Sequence, residues 1–214
     1  MLISVRIIAG SLRSRSLEAP AGFATRPTSD RLRETLFNVL AARTAGAAFL
    51  DLYAGSGAVG IEALSRGAAR VEFVERAPAA LKILRGNLER LGLRAGFRIH
   101  AAAVGAFLRR AAAASKPEPH ENRERFEERE CYEVVFLDPP YEAVGEYTAT
   151  LGLLGGPALG LLAADAMVIA EHRRKADPKQ RLEDRYGALE RTRLLEQGDA
   201  ALSFYAVACS SAPQ

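Results

Sequence analysis

Residues 48–60 read Ala48-Phe-Leu-Asp51-Leu-Tyr-Ala-Gly55-Ser-Gly57-Ala-Val-Gly60, an apolar run that opens into a glycine-rich loop. The apolar part predicts a buried strand, and the residues after the loop predict a helix that ends at Gly67. Glycines at such a junction allow a tight turn and a close approach of a ligand to the backbone. The following helix presents unpaired backbone amides at its N-terminus. This stretch therefore predicts a strand–loop–helix unit that binds a ligand.

Strands and helices alternate from this unit toward the C-terminus. This alternation predicts an α/β fold with a mostly parallel, doubly wound, Rossmann-like sheet and helices on both faces. A closing hairpin around Gln197-Gly198-Asp199 must place one antiparallel strand in the sheet. The predicted strands are Ala48–Tyr53, Arg70–Val74, Phe97–Ala101, Tyr132–Leu137, Ala166–Ala170, Leu189–Leu195 and Ala201–Ala208.

The residues before the first predicted strand form a separate region. Residues 1–24 predict a hairpin or an extended arm with short strands at Val5–Ala9 and about Ser14–Glu18. A helix should run from Thr28 or Ser29 to about Arg43. We therefore expect an N-terminal arm and helix over residues 1–45 and one catalytic domain over residues 46–209.

Composition limits the class of protein. The chain has 214 residues, of which 49% are hydrophobic and 26% are charged, as expected for a globular domain. No window approaches the roughly 18 uncharged apolar residues of a membrane span. The N-terminus has no secretory signal pattern. Cys131 and Cys209 are far apart, which predicts neither a disulfide framework nor a metal site. A cytoplasmic protein is expected.

Positive charge is concentrated at the N-terminus. The net charge is +3, and residues 1–33 alone carry six arginines against two acidic residues. A basic segment favours nucleic-acid binding, although a compositional bias toward arginine is an alternative explanation. Residues 115–130 contain ten charged residues of sixteen and predict a solvated surface insertion. The six arginines are Arg6, Arg13, Arg15, Arg26, Arg31 and Arg33.

Two acidic residues flank the glycine-rich loop. Glu75 ends the second predicted strand, 20 residues after Gly55, where its carboxylate could accept the hydroxyls of a ribose. Gly55, Gly57 and Gly60 also satisfy the dinucleotide pattern GxGxxG. Asp51 distinguishes a dinucleotide from a ligand with a cationic amino group. A carboxylate aimed into the loop attracts a cationic amino group, whereas it repels the pyrophosphate of a dinucleotide. S-adenosylmethionine carries such an amino group.

The second motif is Asp138-Pro139-Pro140-Tyr141, at the carboxyl end of the fourth predicted strand. Ligands of open α/β sheets bind at this edge, so the motif and the glycine loop should face one crevice. The exocyclic amine of a nucleobase must pyramidalise before its nitrogen attacks a methyl sulfonium. A carboxylate and a proline carbonyl held at fixed positions favour that geometry, and an aromatic ring can stack on the base. The alternative is a turn that merely ends a strand.

The chain resembles the S-adenosylmethionine-dependent class I methyltransferases, and among them the bacterial 16S rRNA guanine-N2 methyltransferases of the RsmD type. The general part of the resemblance is the glycine loop with the DPPY motif. The specific part is the block TRPTSDRLRETLFNVL at Thr25–Leu40, joined to LDLYAGSGAVGIEALSRGA at Leu50–Ala68. The resemblance extends to the tail QGDAALSFY at Gln197–Tyr205.

The resemblance implies a seven-stranded sheet whose last strand is antiparallel, and S-adenosylmethionine as cofactor. It implies 16S rRNA or a small-subunit assembly intermediate as partner, gripped by Arg6, Arg13, Arg15, Arg26 and Arg31. A monomer without membrane contact is expected. It implies catalysis at Asp138, Pro139, Pro140 and Tyr141, and cofactor contacts at Asp51, Tyr53, Gly55, Ser56, Gly57, Glu75 and Arg76.

Three points stay open at this level. Ala101-Ala102-Ala103 stands where such enzymes often carry an adenine-contacting Asp or Asn, so adenine recognition there either comes from backbone groups or is weaker. Glu171 ends the fifth predicted strand and either faces the crevice or is a solvated charge. DNA or RNA adenine-N6 methylation and nicotinamide-dependent oxidoreduction are the alternative activities. The chain's small size disfavours a DNA-reading enzyme, and Asp51 disfavours nicotinamide.

Overall fold

The structure is a computed structural model, and it describes residues 2–20, 27–114, 131–140, 143–174 and 181–208. The predicted insertion at residues 115–130 lies outside the described residues, as do Arg26, Tyr141 and Cys209.

Five helices and ten strands make up the described part of the chain. Two short 3-10 turns also occur, at Ala41–Arg43 and Leu159–Leu161. The helices are α1 (Pro27–Leu40), α2 (Ala58–Ser65), α3 (Pro78–Arg90), α4 (Val104–Ala114) and α5 (Val144–Leu154). The strands are β1 (Leu2–Arg6), β2 (Ser16–Pro20), β3 (Ala48–Leu52), β4 (Arg70–Glu75), β5 (Phe97–Ala101), β6 (Tyr132–Leu137), β7 (Leu162–Arg173), β8 (Arg185–Tyr186), β9 (Leu189–Gln197) and β10 (Ala200–Val207).

One large sheet carries the fold, with strand order β5-β4-β3-β6-β7-β10-β9-β8. The first five strands in this order are mutually parallel, and β10 pairs antiparallel with β7. The predicted mostly parallel sheet with an antiparallel final strand is therefore confirmed. The two-residue strand β8 raises the strand count from the expected seven to eight. The strand order reverses between β3 and β6, so ligands are expected at the carboxyl ends of these two strands.

Two apolar cores lie on the two faces of this sheet. Strand β3 is buried along its whole length, and its side chains alternate between the cores, with Phe49 in one core and Leu50 in the other. Helices α4 and α5 cover the Leu50 face, whereas α1, α2 and α3 cover the Phe49 face. Burial on both faces explains why the central strands read as continuous apolar runs rather than as alternating ones.

The N-terminal hairpin of β1 and β2 is a separate two-stranded sheet that docks on α2 and α3. The Glu62 carboxylate is fully buried and accepts the backbone amides of Ile8 and Ala9 at 2.8 and 3.0 Å. The buried amide of Asn87 pairs with both backbone groups of Glu18, at 2.9 Å each. Because backbone groups of the hairpin are bonded to buried side chains, the segment has a fixed place beside the sheet. The domain boundary near residue 45 stays a prediction.

Most predicted elements begin and end within two residues of the observed ones. The largest difference is β7, for which the sequence predicts Ala166–Ala170 and which spans Leu162–Arg173. Its first residues, Leu-Ala-Ala-Asp, have low strand propensity and precede a shift of register against β6. Strand β1 lies at Leu2–Arg6 rather than at the predicted Val5–Ala9. None of the helices in the described residues has the length and apolar character needed to cross a bilayer.

Candidate active site

A cavity of about 470 Å³ opens at the carboxyl ends of β3, β4, β6 and β7. Glu75 ends β4 on one side of β3, whereas Asp138 follows β6 on the other side. Both acidic residues line this single cavity, so the structure brings the two predicted motifs together as expected. The other predicted site residues that line it are Asp51, Tyr53, Gly55, Ser56, Arg76 and Pro140.

The glycine loop runs from the end of β3 into α2. Gly55 and Gly57 have φ angles of +56° and +80°, values that favour glycine. A side chain on Gly57 would place its Cβ atom 2.3 Å from Leu84 Cδ1, so this position also needs glycine for packing. Gly55 has more space, because the nearest atom to a built Cβ is the Tyr53 carbonyl oxygen at 3.9 Å. Gly55 is therefore the loop glycine whose missing side chain leaves room toward the cavity.

The Asp51 carboxylate is buried beneath this loop, with a relative exposure of 2%. Its Oδ2 atom accepts the amide of Gly60 at 2.9 Å, an amide in the first turn of α2 that has no carbonyl partner within the helix. Asp51 thus has a capping role that the sequence did not predict. Burial raises the pKa of Asp51 to about 7, and the Gly60 hydrogen bond only partly offsets this. A cationic group near Asp51 would offset the cost of burying its negative charge.

The Glu75 carboxylate joins the glycine loop to the turn before α3. It accepts the amides of Gly55 at 2.9 Å and of Arg76 and Ala77 at 2.7 Å each. A carboxylate can accept about four hydrogen bonds, so these three leave capacity for a hydroxyl donor. The carboxylate is therefore fixed in position at the cavity wall and remains able to accept a ribose hydroxyl.

The wall beside Glu75 contains alanines. Ala102, Ala103 and the start of α4 line the cavity next to the turn that carries Glu75. The Ala102 amide donates to the Glu75 carbonyl at 3.0 Å, so the two turns are connected. The alanine side chains of this segment offer no hydrogen-bonding group to an adenine, so recognition of the adenine by backbone groups stays a prediction.

Tyr53 has a strained backbone, with a φ angle of +61°. Its hydroxyl contacts Glu146 at 2.8 Å and Thr150 at 2.7 Å, which ties the loop to α5. Burial raises the pKa of Tyr53 above its usual value, so the phenol stays protonated. Left-handed conformations cost a non-glycine residue about 1–2 kcal/mol, and such strain is concentrated at functional sites.

The DPP segment is fixed by a tyrosine that sequence reasoning missed. The hydroxyl of the buried Tyr147 in α5 lies 2.9 Å from the carbonyl oxygen of Glu171 and 3.3 Å from that of Pro139. The Pro140 carbonyl accepts the amide of Ala143 at 2.8 Å. These contacts fix the backbone of the DPP segment, in which Pro139 is buried; of the predicted catalytic and cofactor-binding residues in the described part of the chain, Pro139 and Gly57 do not line the cavity. Tyr147 follows the DPPY motif by only a few residues. This short spacing is the one sequence signal that could have indicated a contact between Tyr147 and the motif.

The far wall of the cavity was also missed. It comes from the N-terminal hairpin and α1, including Pro20, Leu32 and the buried guanidinium of Arg33. Arg33 donates to the Arg6 carbonyl at 2.6 Å and to Asp30 at 3.0 Å. Of the predicted RNA-binding arginines in the described residues, Arg6, Arg13, Arg15 and Arg31 are all exposed. All four lie in the hairpin or in α1, the elements that provide this wall.

Comparisons with known proteins agree with this architecture. The family model described as "Conserved hypothetical protein 95" matches residues 5–206. The chain is 36% identical to "Putative rRNA methyltransferase YlbH" of Bacillus subtilis over 94% of this chain and 98% of that one. It is 39% identical to "Ribosomal RNA small subunit methyltransferase D" of Escherichia coli over 78% of this chain and 74% of that one.

A solved structure extends the similarity to three dimensions. The fold matches "Putative methyltransferase yhhF from Escherichia coli" with a TM-score of 0.73 and 30% identity, over 97% of this chain and 100% of that one. The family model and these relatives each cover most of the chain. The chain therefore belongs to the RsmD family of methyltransferases.

Proposed function

We propose that the protein transfers a methyl group from S-adenosylmethionine to the exocyclic N2 amine of a guanine in 16S rRNA. The observation that carries this proposal is the single cavity that contains Asp51, Gly55 and Glu75 on one side and Asp138 on the other. The names of the relatives, which are rRNA and small-subunit methyltransferases, support the same substrate class. We further propose that the protein acts as a monomer in the cytoplasm, on an assembly intermediate of the small subunit.

The residues on the glycine-loop side fit S-adenosylmethionine. Asp51 is a buried carboxylate whose hydrogen-bond partner among the described residues is one backbone amide, so a cationic amino group would suit it. Glu75 would hold the ribose hydroxyls, and Tyr53, Ser56, Gly57 and Arg76 would complete the loop around the ligand. When bound, S-adenosylmethionine supplies a methyl group on a positively charged sulfur. This combination of acidic and apolar groups supports the proposal, because S-adenosylmethionine has both cationic and apolar parts.

The chain's own contribution to the reaction comes from Asp138 and the Pro139 carbonyl. Each would accept one hydrogen of the guanine amine and so favour a pyramidal nitrogen whose lone pair points at the methyl group. Transfer of the methyl group would form the nitrogen–carbon bond while the carbon–sulfur bond breaks, and Asp138 or water would take up the excess proton of the amine. Such positioning of reacting atoms can contribute several kcal/mol, up to about 7–11 kcal/mol in favourable cases. Tyr141 would stack on the base, and Pro140 stiffens the segment.

Labelled S-adenosylmethionine tests the proposal. The protein is incubated separately with 16S rRNA, 30S particles and DNA from cells that lack this activity, and the labelled nucleoside is identified after digestion. We expect N2-methylguanosine from ribosomal RNA, with the Asp138→Ala variant as a negative control. Label in N6-methyladenine would instead support the adenine alternative. Calorimetry that detects NADH binding without S-adenosylmethionine binding would support the oxidoreductase alternative.

A further inference from the structure

Two acidic residues lie on adjacent parallel strands at the Asp138 side of the cavity: Asp138 directly follows β6, and Glu171 lies within β7, two residues before its end. Strands β6 and β7 pair in register with Leu137 opposite Ala170, so Asp138 and Glu171 are the next residues along each strand. Parallel neighbours lie about 4.8 Å apart, which places the two residues side by side. Both line the cavity. The proposed mechanism uses Asp138 and leaves Glu171 without a role.

The backbone around Glu171 is fixed relative to the DPP segment. The Tyr147 hydroxyl lies 2.9 Å from the Glu171 carbonyl oxygen and 3.3 Å from the Pro139 carbonyl oxygen. One side chain of α5 therefore spans the ends of both strands. This contact limits how far Glu171 can move with respect to the acceptors proposed for the exocyclic amine.

The surroundings of Glu171 suit a flat base with polar edges. Apolar side chains from the hairpin, α1 and β10 line the same cavity, among them Val5, Pro20, Leu32, Leu36 and Leu202. Arg33 is the cationic group of this wall, and its guanidinium and the Glu171 carboxylate attract each other electrostatically. The cavity therefore contains a positive charge as well as the two carboxylates.

Guanine and adenine differ at the ring nitrogen next to these acceptors. Guanine presents an N1–H donor beside its N2 amine, whereas adenine presents an N1 lone pair beside its N6 amine. An ionised carboxylate accepts hydrogen bonds and donates none, so it binds the first edge and repels the second. Resting on the proposed guanine-N2 activity, we propose that Glu171 accepts the N1–H hydrogen of the target guanine. Glu171 is then the residue that selects guanine over adenine.

An RNA substrate with a single altered base tests this role. The target guanosine, once mapped by nucleoside digestion, is replaced in a synthetic RNA by 2-aminopurine, which keeps the N2 amine but has a lone pair at N1. The ratio of kcat/KM for the guanine RNA to that for the 2-aminopurine RNA is measured for each protein. Comparing this ratio between variants cancels the intrinsic difference in reactivity of the two amines. The matched control is Asp165→Asn, which changes an exposed carboxylate at the opposite end of β7.

We expect the wild type and Asp165→Asn to prefer the guanine RNA by the same factor, on the order of 100-fold. In Glu171→Gln the side-chain amide can donate to the N1 lone pair, so the ratio should fall at least tenfold through a gain on 2-aminopurine. Glu171→Ala should lower guanine turnover and also reduce the ratio. If Glu171→Gln lowers both substrates equally and leaves the ratio unchanged, the inference is wrong. If the wild type methylates no RNA guanine at N2, the proposed function itself fails.

Discussion

At the scale of single residues, Asp138 carries the most specific prediction. Because its proposed role is to accept an N–H hydrogen in the transition state, Asp138→Ala should lower kcat by two to four orders of magnitude, roughly the loss expected for a positioned polar group. Asp138→Asn should retain more activity, since an amide oxygen still accepts a hydrogen bond. Single-turnover methylation measures both effects. Calorimetry should show nearly unchanged S-adenosylmethionine binding, and equal, harmless effects of both substitutions would contradict the mechanism.

Asp51 predicts a pH dependence of ligand binding. Burial raises its pKa from an ordinary value of 3.8 to about 7, so the folded protein is increasingly protonated at this site as the pH falls below 7. A cationic amine binds the ionised form, so affinity should rise with pH up to about 7 and level off above it, where Asp51 and the amine are both charged. S-adenosylhomocysteine binding by calorimetry at several pH values measures this. The Asp51→Asn variant should bind S-adenosylhomocysteine more weakly, and its affinity should not change with pH over this range. If the affinities of both proteins change with pH in the same way, Asp51 is not the partner of the amine.

The same pKa determines how Asp51 affects folding. In the unfolded chain the group ionises near its ordinary value, so the unfolded state binds fewer protons than the folded state between about pH 4 and pH 7. Burial of Asp51 therefore opposes folding increasingly as the pH rises through that range. A bound cation would relieve this cost, which is why ligand binding and pH should be coupled.

At the scale of elements, the glycines of the loop before α2 and of the first turn of α2 have different roles. A Cβ atom on Gly60 would lie 2.3 Å from Phe73 Cε1 and 2.8 Å from Val71 Cγ1, because α2 packs closely on β4. Gly60→Ala should therefore destabilise the fold by about 1–3 kcal/mol or more, as overpacking does. Gly55→Ala should cost only the left-handed backbone penalty of about 1–2 kcal/mol and should mainly weaken S-adenosylhomocysteine binding. Denaturant unfolding and calorimetry on both variants separate these effects. If Gly55→Ala destabilises the fold more than Gly60→Ala does, Gly55 is the glycine that packing requires.

The sequence predicted the elements that its local pattern specifies. Strands β5 and β6 have the predicted bounds, because Gly96 precedes the first and an apolar run marks the second. The two-residue strand β8 was missed, since its pairing is decided by the neighbouring strand β9. The full length of β7 was missed for the same reason, because tertiary contacts rather than local sequence determine the strand conformation of its first residues.

The candidate site was predicted where motifs mark it and missed where distant segments meet. Asp51, Glu75 and Asp138 each lie at or just beyond the end of a strand, so topology alone placed them at one edge of the sheet. Tyr147 and Arg33 come from helices, and no local pattern distinguishes a residue that faces a cavity from one in the core. The capping contact of Asp51 with Gly60 depends on side-chain orientation, which the sequence does not encode in a readable way.

At the scale of the whole molecule, the exposed N-terminal arginines predict the salt dependence of RNA binding. The triple variant in which Arg6, Arg13 and Arg31 are replaced with glutamine should bind RNA more weakly. The slope of the logarithm of the association constant against the logarithm of the salt concentration should become shallower by roughly 2. This value follows because each phosphate that an arginine no longer neutralises changes the slope by about 0.7–0.9. Arg15 is kept because it donates to the Arg90 carbonyl at 2.9 Å and supports the docked hairpin. Filter binding at several salt concentrations measures the slope.

The matched control for this prediction lies at the other edge of the sheet. Arg181, Arg185 and Arg193 are exposed on and near β8 and β9, away from the hairpin. Replacing these three with glutamine removes the same charge, so a purely global effect would change the slope equally in both triple variants. Equal slopes in the two variants would show that the N-terminal arginines do not contact phosphate. S-adenosylhomocysteine affinity should be unchanged in both.

The docked hairpin has a consequence for the order of folding. Its buried partners Glu62, Ser65 and Asn87 lie 53 to 69 residues further along the chain. A growing chain therefore synthesises this wall of the cavity first but can dock it only after α3 has emerged, and loop closure over such distances is entropically costly. Asn87 also donates to the Ser56 carbonyl at 2.8 Å, so docking and ordering of the glycine loop share one side chain. Late docking of the hairpin would thus be the step that gives the newly made protein a finished binding cavity.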